Sequence, residues 1–258
     1  MPIIPLPGLD MYYETHGAED HPPVVLLHGA TETFAVSWRK QVDVLAQRYR
    51  VLGVDLRGHG RSDNPAGKLD LRQMADDVAA LLDVLEIDTA HVCGFSGGAS
   101  TSLFLARRHP QRLRSATLIS NNFARDEARQ AAGFWDPDRI TARDPLWLKA
   151  MDEWHGVAPE QLLAWWKEED RLRPAFSVEE LATIDVPTLV VAGDRDPVVP
   201  LEQSLALYQA LPRARLLVLP GIGHGAPHRA PELLNAALDA FWTRIESDRP
   251  LEATPGPS

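Results

Sequence analysis

The strongest constraint on the fold is a rhythm in the sequence. Short runs of β-branched and leucine residues, each bounded by Gly, Asp or Pro, alternate with segments of helical periodicity. The runs are VVLL (24–27), VLGV (51–54), HVCGF (91–95), ATLI (116–119), TLVV (188–191) and LLVL (216–219). None alternates polar with apolar, so each reads as a strand buried on both faces, and such strands belong to parallel sheets covered by helices. Helical patterns fall between them at 36–48, 71–85, 99–108, 201–211 and 231–245. Strand, helix, strand repeated in this way predicts an α/β fold: a mostly parallel sheet with helices on both faces. MYYET (11–15) is expected to add an antiparallel edge strand.

The rhythm stops between about 121 and 183. This stretch has no strand-like run, yet it holds five of the seven tryptophans: Trp135, Trp147, Trp154, Trp165 and Trp166. Asp144 and Pro145 offer a cap and a first turn for a helix on which Trp147, Met151 and Trp154 recur at i, i+4 and i+7. A second helix is predicted over 159–172, and SVEE (177–180) has the form of a capping box for a short third one. The expected organisation is therefore a core domain from 1–120 and 184–247, a helical cap or lid inserted at 121–183, and a disordered tail at 248–258.

Composition narrows the partners. A net charge of −10 argues against nucleic acid or an anionic membrane, since both require a basic surface. The single cysteine, Cys93, excludes an internal disulfide and a multi-cysteine metal site, which suits a reducing compartment. The N-terminus MPIIPLPGLD has no basic, apolar leader pattern, and no apolar stretch approaches the roughly 18 residues of a spanning helix. The expectation is a cytoplasmic protein acting on a small molecule, without metal or cofactor; oligomeric state is written in no motif.

Acyl transfer by serine requires a nucleophile, a base, an acid to orient the base, and N–H donors for the developing oxyanion. VCGFSGGAS (92–100) supplies a nucleophile candidate: Ser96 lies between Gly94 and Gly98, after a predicted strand and before a predicted helix. AGDRDPVVP (192–200) offers two acids. Asp196, a few residues beyond the strand end, is preferred, and Asp194 is assigned to the turn. In PGIGHG (220–225), glycines flank His224, the candidate base. Of the other histidines, His28 and His59 sit inside turns, His91 is placed at an element end, and His155 is the one further histidine placed near substrate. Gly97 and Ala30 are the candidate oxyanion donors, Ala30 from the turn LHGAT (27–31).

LHGA, DLRGHGRSD (55–63), GFSGG, GDRD and the Gly223-His224 pair together resemble the α/β-hydrolase superfamily, in its serine-nucleophile branch of esterases, lactonases and perhydrolases. The resemblance implies an eight-stranded, mostly parallel sheet, a helical cap after the sixth strand, and a triad of Ser96, Asp196 and His224. It makes 55–63 a structural loop, with Arg57 a candidate to line the entrance. Serine at the elbow speaks against the dehalogenase and epoxide hydrolase branches, which carry aspartate there. The expected activity is hydrolysis of a carboxylic ester or lactone of a small, apolar substrate through an acyl-enzyme. Its rivals are a biosynthetic tailoring enzyme using the same triad and a ligand-binding receptor on a hydrolase scaffold. Thr31, Phe95, Phe123, Trp135, Trp147, Trp154 and His155 are the candidate pocket residues.

Overall fold

The computed structural model describes residues 3–121, 123–124 and 133–248. Eight strands form one sheet: β1 (Ile3–Leu6), β2 (Leu9–His16), β3 (Pro23–Leu27), β4 (Arg50–Val54), β5 (Ala90–Phe95), β6 (Leu113–Ile119), β7 (Thr188–Gly193) and β8 (Ala214–Leu219). Their order is β1-β2-β4-β3-β5-β6-β7-β8. β1 and β2 pair antiparallel, β2 meets β4 antiparallel, and every pairing from β4 to β8 is parallel. The expected edge strand is thus a two-strand ribbon. Its first member, IIPL, is too short and too exposed to show a pattern in the sequence.

The unbroken apolar runs are explained by burial on both faces. Val25 and Leu27 of β3 pack on one side of the sheet with Met74 and Val78, whereas Val24 and Leu26 pack on the other with Trp38 and Trp242. Successive strand residues point to opposite faces, so a strand sandwiched between helices has no place for polar alternation. Helices Leu71–Val84 and Gly97–Arg108 cover the first face, and Pro231–Ser247 covers the second. The helix expected over 36–48 is two single turns, Phe34–Ser37 and Val42–Leu45. They separate at the fully buried Trp38, whose carbonyl accepts from both Gln41 N–H (2.9 Å) and Val42 N–H (3.1 Å). The Gln41 side chain reaches away from this corner, its Nε2 donating to Pro227 O at 3.0 Å.

Between β6 and β7 lie helices Pro137–Arg143, Trp147–Trp154, Pro159–Leu172 and Val178–Leu181. The third keeps the bounds read from sequence, and Ser177 and Glu180 form both bonds of the capping box. The first was not anticipated, although Asp136 and Pro137 give it the same cap-and-proline start. Asp144 ends that helix, and the next begins after Leu146. Met151, Leu162, Leu163 and Trp166 join the buried cluster of the first sheet face, so this insert packs on the core. No helix among the described residues is long and apolar enough to cross a membrane.

Candidate active site

Three loops at the C-terminal edge of the parallel strands bring Ser96, Asp196 and His224 together. Ser96 follows β5 directly and adopts φ 52°, ψ −111°, a left-handed conformation unusual for a residue with a side chain. The flanking glycines make this corner sterically possible. A Cβ on Gly94 would lie 2.2 Å from Gly98 O, and one on Gly98 would lie 2.3 Å from Leu27 O. Ser96 N–H donates to Ile119 O at 2.9 Å, anchoring the corner to β6.

Asp196 is held by two backbone amides, Val198 N–H (2.8 Å) and Val199 N–H (2.9 Å), both on Oδ1. Its Oδ2 lies 2.9 Å from His224 Nδ1. A carboxylate can only accept, so Nδ1 carries the proton, and the neutral ring presents its Nε2 lone pair to Ser96 Oγ at 2.9 Å. Burial alone would raise the Asp196 carboxyl. The hydrogen bond and charge of His224 and the two amides outweigh it and hold the group below its ordinary value. Asp194 does turn work, with Oδ1 accepting from Gly221 N–H at 2.6 Å. Ser120 Oγ donates to His224 O at 3.1 Å and steadies the histidine loop.

Gly97 lies against the turn after β3: a Cβ there would be 3.1 Å from Ala30 N. Neither the Ala30 nor the Gly97 amide donates to a protein acceptor among the described residues. Both residues, with Ser96 and His224, line a cavity of about 820 Å³. Thr31, Phe95, Trp135, Trp147 and Trp154 line it as the sequence suggests. Phe134, Ile140 and Trp166 of the insert also line it, and nothing but their place in a Trp-rich segment pointed to them. Glu32 and His228 are further lining residues, joined at 3.0 Å. The LHGAT motif stops one residue short of Glu32, and His228 was hidden at the approach to the last helix.

Several expectations are corrected. Phe123 does not line the cavity; it packs against the core, and its carbonyl accepts from Phe176 N–H. His155 does not line it either, because its ring is turned behind the Ala30 turn, between Gly60 N–H and Thr31 O. Arg57 is buried in a two-bond ion pair with Asp77 (2.7 and 2.8 Å) and cannot reach the entrance. His91 is a core residue of β5 between Ser115 and Glu246. Among the described residues no group of three His, Cys, Asp or Glu side chains is arranged to hold a metal ion.

The family model described as alpha/beta hydrolase fold matches residues 22–144, and one described as TAP-like protein matches 164–250. A protein of Azorhizobium caulinodans assigned as carbamate hydrolase RutD is 30% identical, over 92% of this chain and 96% of the relative. The chain belongs to the α/β-hydrolase family. Similar to it as well is the 3-oxoadipate enol-lactonase 2 of Acinetobacter baylyi, 27% identical over 90% of this chain and 93% of the relative. Among solved structures, Est816, described as an N-acyl homoserine lactone degrading enzyme, superposes with a TM-score of 0.78. It is 28% identical, over 93% of this chain and all of Est816. An α/β-hydrolase with this sheet carries its chemistry on loops at the strand ends, where Ser96, Asp196 and His224 lie.

Proposed function

We propose that this α/β-hydrolase is a serine hydrolase of small carboxylic esters or lactones, with residues 121–183 acting as a cap over the site. The observation that carries the reading is the pair of hydrogen bonds Ser96 Oγ to His224 Nε2 and His224 Nδ1 to Asp196 Oδ2, both 2.9 Å, opening into a cavity bordered by tryptophans. Ser96 Oγ attacks the substrate carbonyl while its proton passes to His224 Nε2. Asp196 fixes the ring and stabilises the imidazolium that forms. The Ala30 and Gly97 amides receive the oxyanion, helped by the N-terminus of helix Gly97–Arg108. His224 then protonates the leaving alcohol, and a water activated by the same ring cleaves the acyl-enzyme. Two unpaired amides beside an activated serine support acyl transfer over a purely binding role, and lactone-cleaving relatives support the substrate class.

The test is a panel of aryl esters, lactones and a diketone run with the wild type and Ser96→Ala, alongside a fluorophosphonate probe. Turnover of an ester or lactone that vanishes in Ser96→Ala, with labelling at Ser96, is the expected result. Labelling without ester or lactone turnover would move the reading to the tailoring chemistry. Failure of both would leave a binding protein.

A further inference from the structure

Behind the Ala30 amide stands a group of histidines that the proposed acyl transfer does not use. Gly29 to Glu32 form a β-turn closed by Glu32 N–H to Gly29 O at 3.1 Å. The two inner carbonyls, of Ala30 and Thr31, have no partner within the turn, and each faces an imidazole instead. His59 Nε2 is 2.9 Å from Ala30 O, and His155 Nε2 is 3.2 Å from Thr31 O. His28 Nδ1 donates to Gly29 O at 2.8 Å. Three consecutive carbonyls thus meet three different rings, which pack with centroids 4.9 Å (His28 to His59) and 5.7 Å (His59 to His155) apart.

The three rings differ in how firmly their protons are assigned. Gly60 N–H can only donate, so His155 Nδ1 accepts it at 2.9 Å and the proton of the neutral ring sits on Nε2, facing Thr31 O. His59 is oversubscribed. Its Nδ1 faces Arg57 O at 2.8 Å, while its Nε2 faces both Ala30 O and the indole N–H of Trp166, each at 2.9 Å. A neutral ring accepting from Trp166 holds its proton on Nδ1 and leaves Ala30 O unserved. Thr31 O is therefore the inner carbonyl with an unambiguous donor, and that donor comes from the insert. The adjacent Gly156 N–H donates to Gly60 O at 3.0 Å, fastening the same point of the insert to the core.

We propose that His155 is a positioning residue: by holding the Thr31 carbonyl it sets the turn so that the Ala30 N–H faces the developing oxyanion, and it makes this geometry depend on seating of the insert. The proposal rests on the ester or lactone hydrolase reading. Glu32 N–H and His28 Nδ1 hold the Gly29 carbonyl, and with it the plane of the Ala30 N–H; loss of the His155 bond would instead let the Thr31 side of the turn shift and carry that N–H off the line to the anion. The penalty falls on the transition state, where the charge develops, and not on the bound ester.

Two variants separate this role from simple fastening of the insert. In His155→Gln, the side-chain amide reaches the old Nε2 position and can still donate to Thr31 O. In His155→Asn, the shorter amide reaches only the Nδ1 position and can accept from Gly60 N–H, so the insert keeps its tether. With 4-nitrophenyl butyrate and the full-length protein, His155→Gln should stay within about threefold of the wild-type kcat. His155→Asn should lose about tenfold or more in kcat at nearly unchanged KM. Phenylboronic acid, whose tetrahedral adduct on Ser96 places an oxygen in the oxyanion site, should weaken by the same factor in His155→Asn. Equal kcat in the two variants, or a loss confined to KM, overturns the proposal. A wild type no faster than Ser96→Ala overturns instead the reading on which it rests.

Discussion

The cavity has two walls of different chemistry. The sheet-side wall includes Ala30, Thr31, Ser96, Gly97 and His224, groups carried on loops at strand ends, with the polar atoms of Ser96 and His224 meeting there. The insert-side wall is mainly aromatic and apolar, with Phe134, Trp135, Ile140, Trp147, Trp154 and Trp166 offering area and shape, and Asp144, Asp170 and Arg173 add charge at its border. Two of its indole N–H groups are spent on the protein: Trp166 Nε1 donates to His59, and Trp135 Nε1 donates to Asp170 at 3.3 Å. On the proposed reading, reaction and selection are carried by different stretches of chain. A change on the sheet side should depress every substrate alike, while a change on the insert side should reorder substrates.

The largest effects should come from the sheet side. Ser96→Ala removes the proposed nucleophile and should abolish turnover of any ester. Asp196→Asn is more discriminating, because an amide can donate to His224 Nδ1 and thereby favour the tautomer that turns a proton toward Ser96. We expect about a 10⁴-fold loss in kcat with the fold intact. Steady-state rates on two esters of different acyl length should fall by equal factors; unequal factors would blur the distinction between the walls.

Next in size are effects at the seam between the walls, read as stability against pH. Burial, reinforced by neighbouring His59, brings His155 down to about 4. Burial likewise lowers His28 and His59. The unfolded chain binds these protons from about pH 6.5 downward and the native chain does not, so stability is full above pH 6.5 and falls as pH drops toward 4. His155 alone accounts for about 3 kcal/mol of that loss. Glu169, on the insert helix Pro159–Leu172, runs the opposite way. Burial pushes its carboxyl up to about 7 against the pull of Arg173, so its contribution is lost as pH rises from about 4.5 through 7. Urea unfolding at a series of pH values should show His155→Gln flattening the acid limb and Glu169→Gln flattening the neutral one. A variant that leaves its limb unchanged would remove that group from the seam.

Selection on the insert side is expected to be smaller still. Trp147 and Trp154 meet edge to face, 5.5 Å between centroids, and both border the cavity. Trp147→Ala should lower kcat/KM for an aromatic acyl ester about tenfold while an acetate ester changes less than about threefold, reflecting lost apolar contact of roughly 1–2 kcal/mol. Equal losses on both esters would mean that Trp147 supports the fold or the chemistry and does not select substrates.

The same two walls explain what the sequence could reveal. Strand ends are announced by apolar runs closed with Gly and Asp, and the order of Ser96, Asp196 and His224 along the chain is read directly from those punctuation points. The order of β4 before β3 is not visible, because pairing depends on crossovers through space. On the insert, helix Pro159–Leu172 is legible in the sequence to the residue. Which face of a helix meets the cavity, however, depends on how the helices seat on the core. Tryptophan supplies both core volume and cavity wall, so Trp166 was not distinguished from its neighbour Trp165. His155 misled for a related reason: its contacts, Gly60 N–H and Thr31 O, are backbone groups 95 and 124 residues away. No local pattern encodes a bond to a remote peptide.

The smallest expected effect isolates seating of the insert from its wall. Ser177 lies on the chain leading from the insert back to β7, exposed, and its hydroxyl accepts from Glu180 N–H at 3.2 Å while Glu180 returns a bond to Ser177 N–H at 2.9 Å. Ser177→Ala removes the first of these and should cost about 1 kcal/mol of stability. Because neither residue borders the cavity, kcat and the ranking of esters should stay at wild-type values while the melting temperature falls by a few degrees. If the substrate ranking shifts with so slight a loosening, the insert-side wall is set by tension in its return connection as well as by packing on the core, and the two walls are more tightly coupled than their separate chemistries suggest.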